Sequence, residues 1–259
     1  MRDAPPSLVR HLFLKLRVLA LYPSYKRYVA GIGSGHPLSG IRTSLRGDAS
    51  ADPTEFFDHY DAFAFWAAAR IADRRARLKI LDVGSIKMMN GILSASHDVT
   101  SMVLADCQDN LSNVTYVKHD VSNPLPFTDH SFDVFTSMAS LPLIGLARYG
   151  DQLDPDCLVN LARELNRVMK PDGELIFSMC LGKNVLHFNN CWFLDMPTIC
   201  SLFHGWKVTA SLVDQMSSPY GSRVELSARF SENTSVADIR QGDYRVVFVH
   251  MRRDVKRDV

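Results

Sequence analysis

The stretch ILDVGSIKMMNG, from Ile80 to Gly91, decides the fold. A short apolar run delivers a glycine at position 84, the pattern of a buried strand ending in a tight turn before a helix. Turns of this kind that receive a diphosphate carry further glycines, so that backbone and helix N-terminus can touch the phosphates. Here Ile86, Lys87, Met88 and Met89 stand at the helix start instead. The crevice above this strand is therefore expected to take a ligand with less bulk than a dinucleotide.

From Lys79 onward the chain alternates. KILDVG, SMVLAD, VTYVKHD, SFDVFTS and GELIFSMC read as short buried strands with helical stretches between them. The clearest of these, DPDCLVNLARELNRVMKP, ends in a Pro-Asp-Gly turn. Such alternation predicts a parallel sheet covered by helices on both faces. GWKVTASLVD and DYRVVFVHMRR read as later strands that close the sheet with an antiparallel member. Upstream, DPTEFFDHYDAFAFWAAARIADRRARL reads as a helix, with Asp52 as cap, Pro53 at its first position and Glu55 three residues after the cap. Residues 31–53 are rich in Gly, Ser and Pro and read as a linker or loop. Residues 1–30 are a basic, apolar helical segment expected to break at Pro23. The organisation expected is a cap segment over 1–53 and a main domain over 54–259.

Composition narrows the function classes. The 259 residues are 46% hydrophobic, enough for a sizeable core, and a net charge of +1 argues against a large nucleic-acid-binding surface. Five cysteines without a C-x-x-C pair argue against a disulfide framework or a structural zinc and point to a reducing compartment. With no apolar run near the ~20 residues that span a bilayer, the expected location is the cytoplasm. The N-terminal helix either packs on the main domain or lies on an anionic membrane surface, peripheral at the inner membrane. Oligomeric state is left open.

In an open parallel sheet, ligands sit beyond the carboxyl ends of the strands. Four groups of residues fall at such ends: Asp82, Gly84 and Ser85; Asp106 and Cys107; Asp120 and Val121; Ser137 and Met138. Asp106 lies 24 positions past Asp82, near the spacing at which an acid meets a ribose diol. Asp120 with Val121 is suited to flank an adenine, through the carboxylate and a backbone N–H. Gly84 lets backbone approach an aminoacyl end whose ammonium Asp82 can hold. A ligand with ribose and adenine but no phosphate is S-adenosylmethionine. A nicotinamide cofactor is the weaker reading, because nothing here reads G-x-G-x-x-G.

With ILDVGS and LADC in order, NPLPFTDHSFDVFTS and LARELNRVMKPDGELIFSM make residues 55–259 resemble the class I S-adenosylmethionine-dependent methyltransferases. The resemblance implies an α/β, Rossmann-like sheet, mostly parallel with an antiparallel last strand and helices on both faces. IGLARYGDQLDPD further resembles a bacterial branch associated with surface-polysaccharide and other glycan pathways, which implies a sugar or glycan acceptor. Two departures fall on the acceptor side. Met138-Ala139-Ser140-Leu141-Pro142-Leu143 carries no titratable group where relatives have histidines, and FNNCWF places Cys191 and Trp192 where they have His-Arg.

A hydroxyl acceptor needs a base, and Asp151 and His187 are the candidates. Arg148, Tyr149, Asn189 and Trp192 are the expected acceptor contacts. Asp151, Asp154 and Asp156 together are able to collect Mg²⁺, but Asp154 followed by Pro155 is also a helix start, and no metal is assigned. A catalytically silent binding protein, or a methyltransferase for another small-molecule or lipid-linked acceptor, remain alternatives.

Overall fold

Strand β1 (Lys79–Val83) holds Ile80, Leu81, Asp82 and Val83 away from water, as a strand with neighbours on both sides and helices on both faces must. The computed structural model describes residues 7–30, 58–72, 74, 76–108, 112–188, 190–215 and 229–253. The chain forms two compact units, Met1–Phe56 and Phe57–Val259. In the first, helix α1 (Ser7–Ala30) runs through Pro23 rather than breaking there. Among the described residues no helix is long and apolar enough to cross a membrane.

The second unit begins with α2 (His59–Ala72), then β1, α3 (Lys87–Ser94), β2 (Asp98–Val103) and β3 (Thr115–Lys118). There follow β4 (Phe132–Ser137), α4 (Cys157–Val168), β5 (Met169–Leu181), β6 (Val185–His187) and β7 (Cys191–Leu194). The unit ends with α5 (Met196–Leu202), β8 (Trp206–Asp214), β9 (Phe230–Ser231) and β10 (Arg245–Arg253). The sheet order is β3-β2-β1-β4-β5-β10-β8-β9. β1 to β5 are mutually parallel, and β10 runs antiparallel to both β5 and β8. This is the expected mostly parallel α/β sheet with an antiparallel last strand. The chain works outward from β1 to β3 and then returns to β4, so the crevice opens over the β1–β4 boundary.

Each face of the sheet carries its own core. Phe63, Ala67 and Ile71 of α2 pack with Ile80, Val99, Val134, Ile176 and Phe248, and the Phe63 ring meets Phe248 edge-on at 5.4 Å. On the other side, Leu158, Leu161 and Leu165 of α4 recur at helical spacing and join Leu81, Phe135, Leu175, Phe177 and Val247. Ile80 and Leu81 thus serve opposite faces, the alternation that fixes strand register.

Three boundaries differ from the sequence reading. The Asp52–Pro53–Glu55 cap signature lies outside the described residues, while Asp58 accepts the Tyr60 and Asp61 N–H groups at 2.9 and 3.1 Å and caps α2. α4 begins at Cys157 rather than at Pro155, because the Asp154 carboxylate accepts the Asp156 N–H at 2.9 Å in a turn before the helix. β2 begins at Asp98 and stops at Val103, three residues short of Asp106. The small β6–β7 hairpin, docked in parallel beside the end of β5, was not foreseen.

Glu174 near the start of β5 is 4% exposed, ion-paired with Arg74 and with Arg252 at 2.8 Å, and within hydrogen-bond distance of His250 Nε2 at 3.0 Å. Burial, reinforced by the positive charges of Arg252, Arg70 and Arg74, pushes the His250 imidazole down to about 4 despite the adjacent carboxylate. The unfolded chain therefore takes up a proton near pH 6.5 that the native state refuses until about pH 4. Stability is expected to fall as pH drops through that window, by about 2–3 kcal/mol if this group acts alone. Urea melts at pH 7 and pH 4.5 check it, and His250→Gln should flatten the difference.

Candidate functional site

The β1 turn is built around Asp82. Parallel register sets Ser101 of β2 and Thr136 of β4 directly beside it. Their hydroxyls donate to its carboxylate at 2.9 and 3.0 Å, Asn90 Nδ2 of α3 donates at 2.7 Å, and the Ser85 N–H donates at 3.3 Å. Asp82 has no exposed surface. Burial outweighs these four hydrogen bonds and holds its carboxyl above the ordinary range. Asp82, read from sequence as helping to hold a ligand ammonium directly or through water, is a buried hub that fixes the turn.

The turns after β1 and β4 are stapled together. Ser137 Oγ donates to the Val83 carbonyl at 2.8 Å, the Met138 N–H donates to Ser85 Oγ at 3.1 Å, and Ser140 Oγ donates to the Gly84 carbonyl at 2.9 Å. Ser85 and Ser137, expected as ligand contacts, spend their hydroxyls on this staple. Gly84 has φ +71°, and a Cβ there would lie 2.2 Å from Ser140 Oγ. The single glycine is therefore required by the turn itself and by the close approach of the β4 loop.

Above the staple lies a cavity of about 410 Å³. Val83 and Gly84 line it at the end of β1, Met102, Val103 and Leu104 at the end of β2, Asp120 and Val121 just after β3, and Met138, Ala139 and Ser140 just after β4. Leu143, Ile144, Tyr149 and Asp151 close one side, with Tyr60 of α2 and His119 completing the wall. The Met88 side chain is exposed and Met89 is buried in the core, so neither plugs the cavity.

Of the residues read from sequence, the structure brings Gly84, Asp120, Val121, Met138, Tyr149 and Asp151 to this cavity. Asp120 accepts the Ser122 N–H at 2.9 Å and the Gln152 N–H at 2.8 Å, one on each oxygen. Burial opposes ionisation there, but the backbone donors outweigh it and hold the carboxyl below its usual range. Asp151 accepts the Tyr149 and Ala147 N–H groups at 3.0 and 3.2 Å, closing the loop over the cavity.

The other expected contacts lie elsewhere. Because β2 stops at Val103, the chain turns before Asp106, whose carboxylate is 85% exposed and paired with Lys118 at 2.7 Å. Asp106 and Cys107 line a separate depression of about 360 Å³ with Gln108, Tyr116 and Lys118. Asp106, read from its spacing as the ribose acid, thus lies in a neighbouring depression that shares Val103 with the cavity, and not in the cavity's own lining. Asp106→Ala is expected to leave both melting temperature and S-adenosylhomocysteine affinity within about threefold of the parent, because exposed ion pairs contribute little; calorimetry checks it.

His187 ends β6 with its ring 4.8 Å from that of Phe193 and Nε2 beside Gly242, and it does not line the cavity. The structure therefore does not bring this candidate base to the cavity with Asp151. Arg148 donates to the Asn190 carbonyl at 2.9 Å, tying the cavity loop to the β6–β7 turn, and its guanidinium lies 5.2 Å from the Tyr149 ring. Trp192 packs against the core. Asn189 lies outside the described residues. Among the described residues no group of three or more His, Cys, Asp or Glu is arranged to hold a metal ion.

Sequence reasoning missed Tyr60, Val103, Leu104, His119, Leu143 and Ile144. Correct placement of the β2 end would have found Val103 and Leu104. Nothing local marks Tyr60, which reaches the cavity from a helix preceding the whole sheet.

Solved structures share this architecture. Burkholderia thailandensis 1,6-didemethyltoxoflavin-N1-methyltransferase, crystallised with S-adenosylhomocysteine, superposes with a TM-score of 0.51 at 13% identity, over 75% of this chain and 77% of that one. A proposed sarcosine dimethylglycine methyltransferase from Galdieria sulphuraria gives 0.55 at 13% identity, over 79% and 91%. The cyclase SpnF gives 0.53 at 14% identity, over 74% and 81%. The fold is that of the class I S-adenosylmethionine-dependent methyltransferases, and its use by a cyclase shows that fold alone does not fix the reaction. No curated protein matches the chain in sequence. The model of the family described as "Caenorhabditis protein of unknown function, DUF268" matches residues 78–246, and the chain belongs to that family.

Proposed function

We infer that the protein is an S-adenosylmethionine-dependent methyltransferase. The observation that carries this reading is the cavity of about 410 Å³ at the β1–β4 strand ends, whose lining combines apolar Met102, Val103, Val121 and Met138 with the carboxylates of Asp120 and Asp151. Met102, Val103, Val121 and Met138 would sandwich a flat purine, Asp120 would accept from its exocyclic amine, and the Gly84 turn would receive the aminoacyl end. The turn after β1 carries the single glycine Gly84 rather than a glycine-rich run of backbone N–H groups for a diphosphate, and α3 begins at Lys87 with Ile86 as its cap. Bound there, the cofactor supplies an activated methyl group on a sulfonium.

The protein's own contribution is positioning. The staple between the β1 and β4 turns and the Asp151-closed loop hold the walls on both sides of the acceptor space, and Tyr60 and Tyr149 border it. Burial, helped by nearby Tyr149, Asp58 and Cys180, raises the Tyr60 hydroxyl above its ordinary range, so it stands as a neutral donor at pH 7. The glycan-pathway resemblance supports a sugar or glycan acceptor as the finer reading. With such an acceptor the role of base would fall to Asp151, which borders the cavity and whose two oxygens already accept backbone N–H groups. Acceptors with a more reactive nucleophile make a smaller demand on this wall. Transfer of a labelled methyl group from S-adenosylmethionine into a cell extract, with mass identification of the product, tests the assignment. A labelled glycan supports the finer reading, and label in another product redirects it. Cofactor binding with no labelled product would favour a silent binding protein.

A further inference from the structure

We propose that α1 is a peripheral anchor that lies on an anionic lipid surface. From Ala4 to Gly47 the chain carries seven Lys or Arg residues and no Asp or Glu, against a net charge of only +1 for all 259 residues. Five of the seven are in α1 itself: Arg10, Lys15, Arg17, Lys26 and Arg27. The described part of the helix has an open side. Lys15, Leu19, Tyr22 and Lys26 follow one another at i, i+4, i+7 and i+11, and Leu16, Ala20, Pro23 and Arg27 repeat that spacing one position on. At 100° per residue the two rows cover one continuous face.

All eight of these residues are exposed, Leu16 at 57%, Leu19 at 69% and Tyr22 at 49%, whereas Val18 and Tyr25 on the opposite side are half-buried. The open face is therefore apolar along its middle and cationic at both ends, with Lys26 lying 5.6 Å from the Tyr22 ring centroid. Two unmet demands coincide on it. Leucine side chains in water lose the transfer free energy that an acyl layer would return. The cations have no acid within the helix to pair with. A bilayer with anionic headgroups meets both: the leucines enter the acyl boundary, tyrosine sits at headgroup depth, and the long lysine and arginine stems carry their charge out to the phosphates. The charge complementarity selects anionic lipid over a neutral surface.

Flotation of the full chain with phosphatidylcholine vesicles, with and without phosphatidylglycerol, tests the proposal. Binding is expected only to the anionic vesicles and should weaken as salt shortens the screening length. Each basic residue near such a surface contributes about fivefold in affinity, so Lys26→Ala with Arg27→Ala should weaken binding about 25-fold. Leu16→Ser with Leu19→Ser should reduce it at least as much, with the melting temperature of both pairs unchanged. Equal binding to neutral vesicles, or no binding to either, overturns the proposal. So does sedimentation showing that the leucine pair dissolves a dimer while the parent fails to float, because the face would then belong to a second protein chain.

Discussion

Gly84→Ala is expected to destabilise the protein by about 2–4 kcal/mol and to lower affinity for S-adenosylhomocysteine by roughly 100-fold or more. Two independent costs add. The backbone at position 84 has φ +71°, where any side chain loses on the order of 1 kcal/mol. The new methyl would also stand 2.2 Å from Ser140 Oγ and 2.7 Å from Ser140 Cβ. Ser140 cannot simply swing aside, because its hydroxyl donates to the Gly84 carbonyl at 2.9 Å and so ties the two turns together. Relief must come from separating the walls of the cavity. The two costs are separable: Ser140→Gly removes the clash together with the staple hydrogen bond, so Gly84→Ala should cost only the backbone term when introduced into a Ser140→Gly background. Thermal melts of the parent, both single variants and the double variant measure this directly. A Gly84→Ala cost as large in the Ser140→Gly background as in the parent would show that the close approach of Ser140 is not what the glycine serves.

The second large effect is expected at Asp82. Asp82→Ala leaves Asn90 Nδ2 and the Ser101 and Thr136 hydroxyls without their shared acceptor in a site closed to water. Buried donors stranded in this way cost about 1–3 kcal/mol each, and the loss should total about 3–5 kcal/mol, or a fall in Tm of roughly 10 °C. The pH dependence carries a separate signature. Burial raises the Asp82 carboxyl in the folded state above its ordinary value of 3.8. Between those two values the native state binds more protons than the unfolded chain, so this group lowers stability as pH rises through that window. Asp120, held below its usual range, acts in the opposite sense, its contribution being lost as pH falls. Asp82→Ala should therefore remove the first slope and keep the second. Denaturant melts across pH 3 to 7 separate the two.

The sheet was legible because its strands are short apolar runs that only burial on both faces explains, and because Gly84 marks where the first one turns. GWKVTASLVD and DYRVVFVHMRR were legible as strands in the same way, read as an antiparallel pair closing the sheet, and β8 and β10 do pair antiparallel. The site was less so. Asp82 sits at a strand end, yet whether a strand-end acid faces ligand or core depends on what its neighbours offer. Here the register supplies Ser101 and Thr136, and the acid turns inward. Asp106 falls outside the cavity lining because β2 ends three residues earlier than its sequence suggests. His187 falls outside it because it belongs to the β6–β7 hairpin, whose two short strands carry no periodic signal. Tyr60 was invisible because its place at the cavity depends on how α2 packs against the sheet.

The central claim is that the crevice over β1 accepts an adenosyl thioether and not a pyrophosphate-bridged dinucleotide. Calorimetric titration of the full chain with S-adenosylhomocysteine and, separately, with NAD tests it without knowledge of the acceptor. Saturable one-to-one binding of S-adenosylhomocysteine is expected, lost in Gly84→Ala, with no heat from NAD beyond dilution. Saturable binding of NAD, or silence with both ligands from a folded protein, would contradict it.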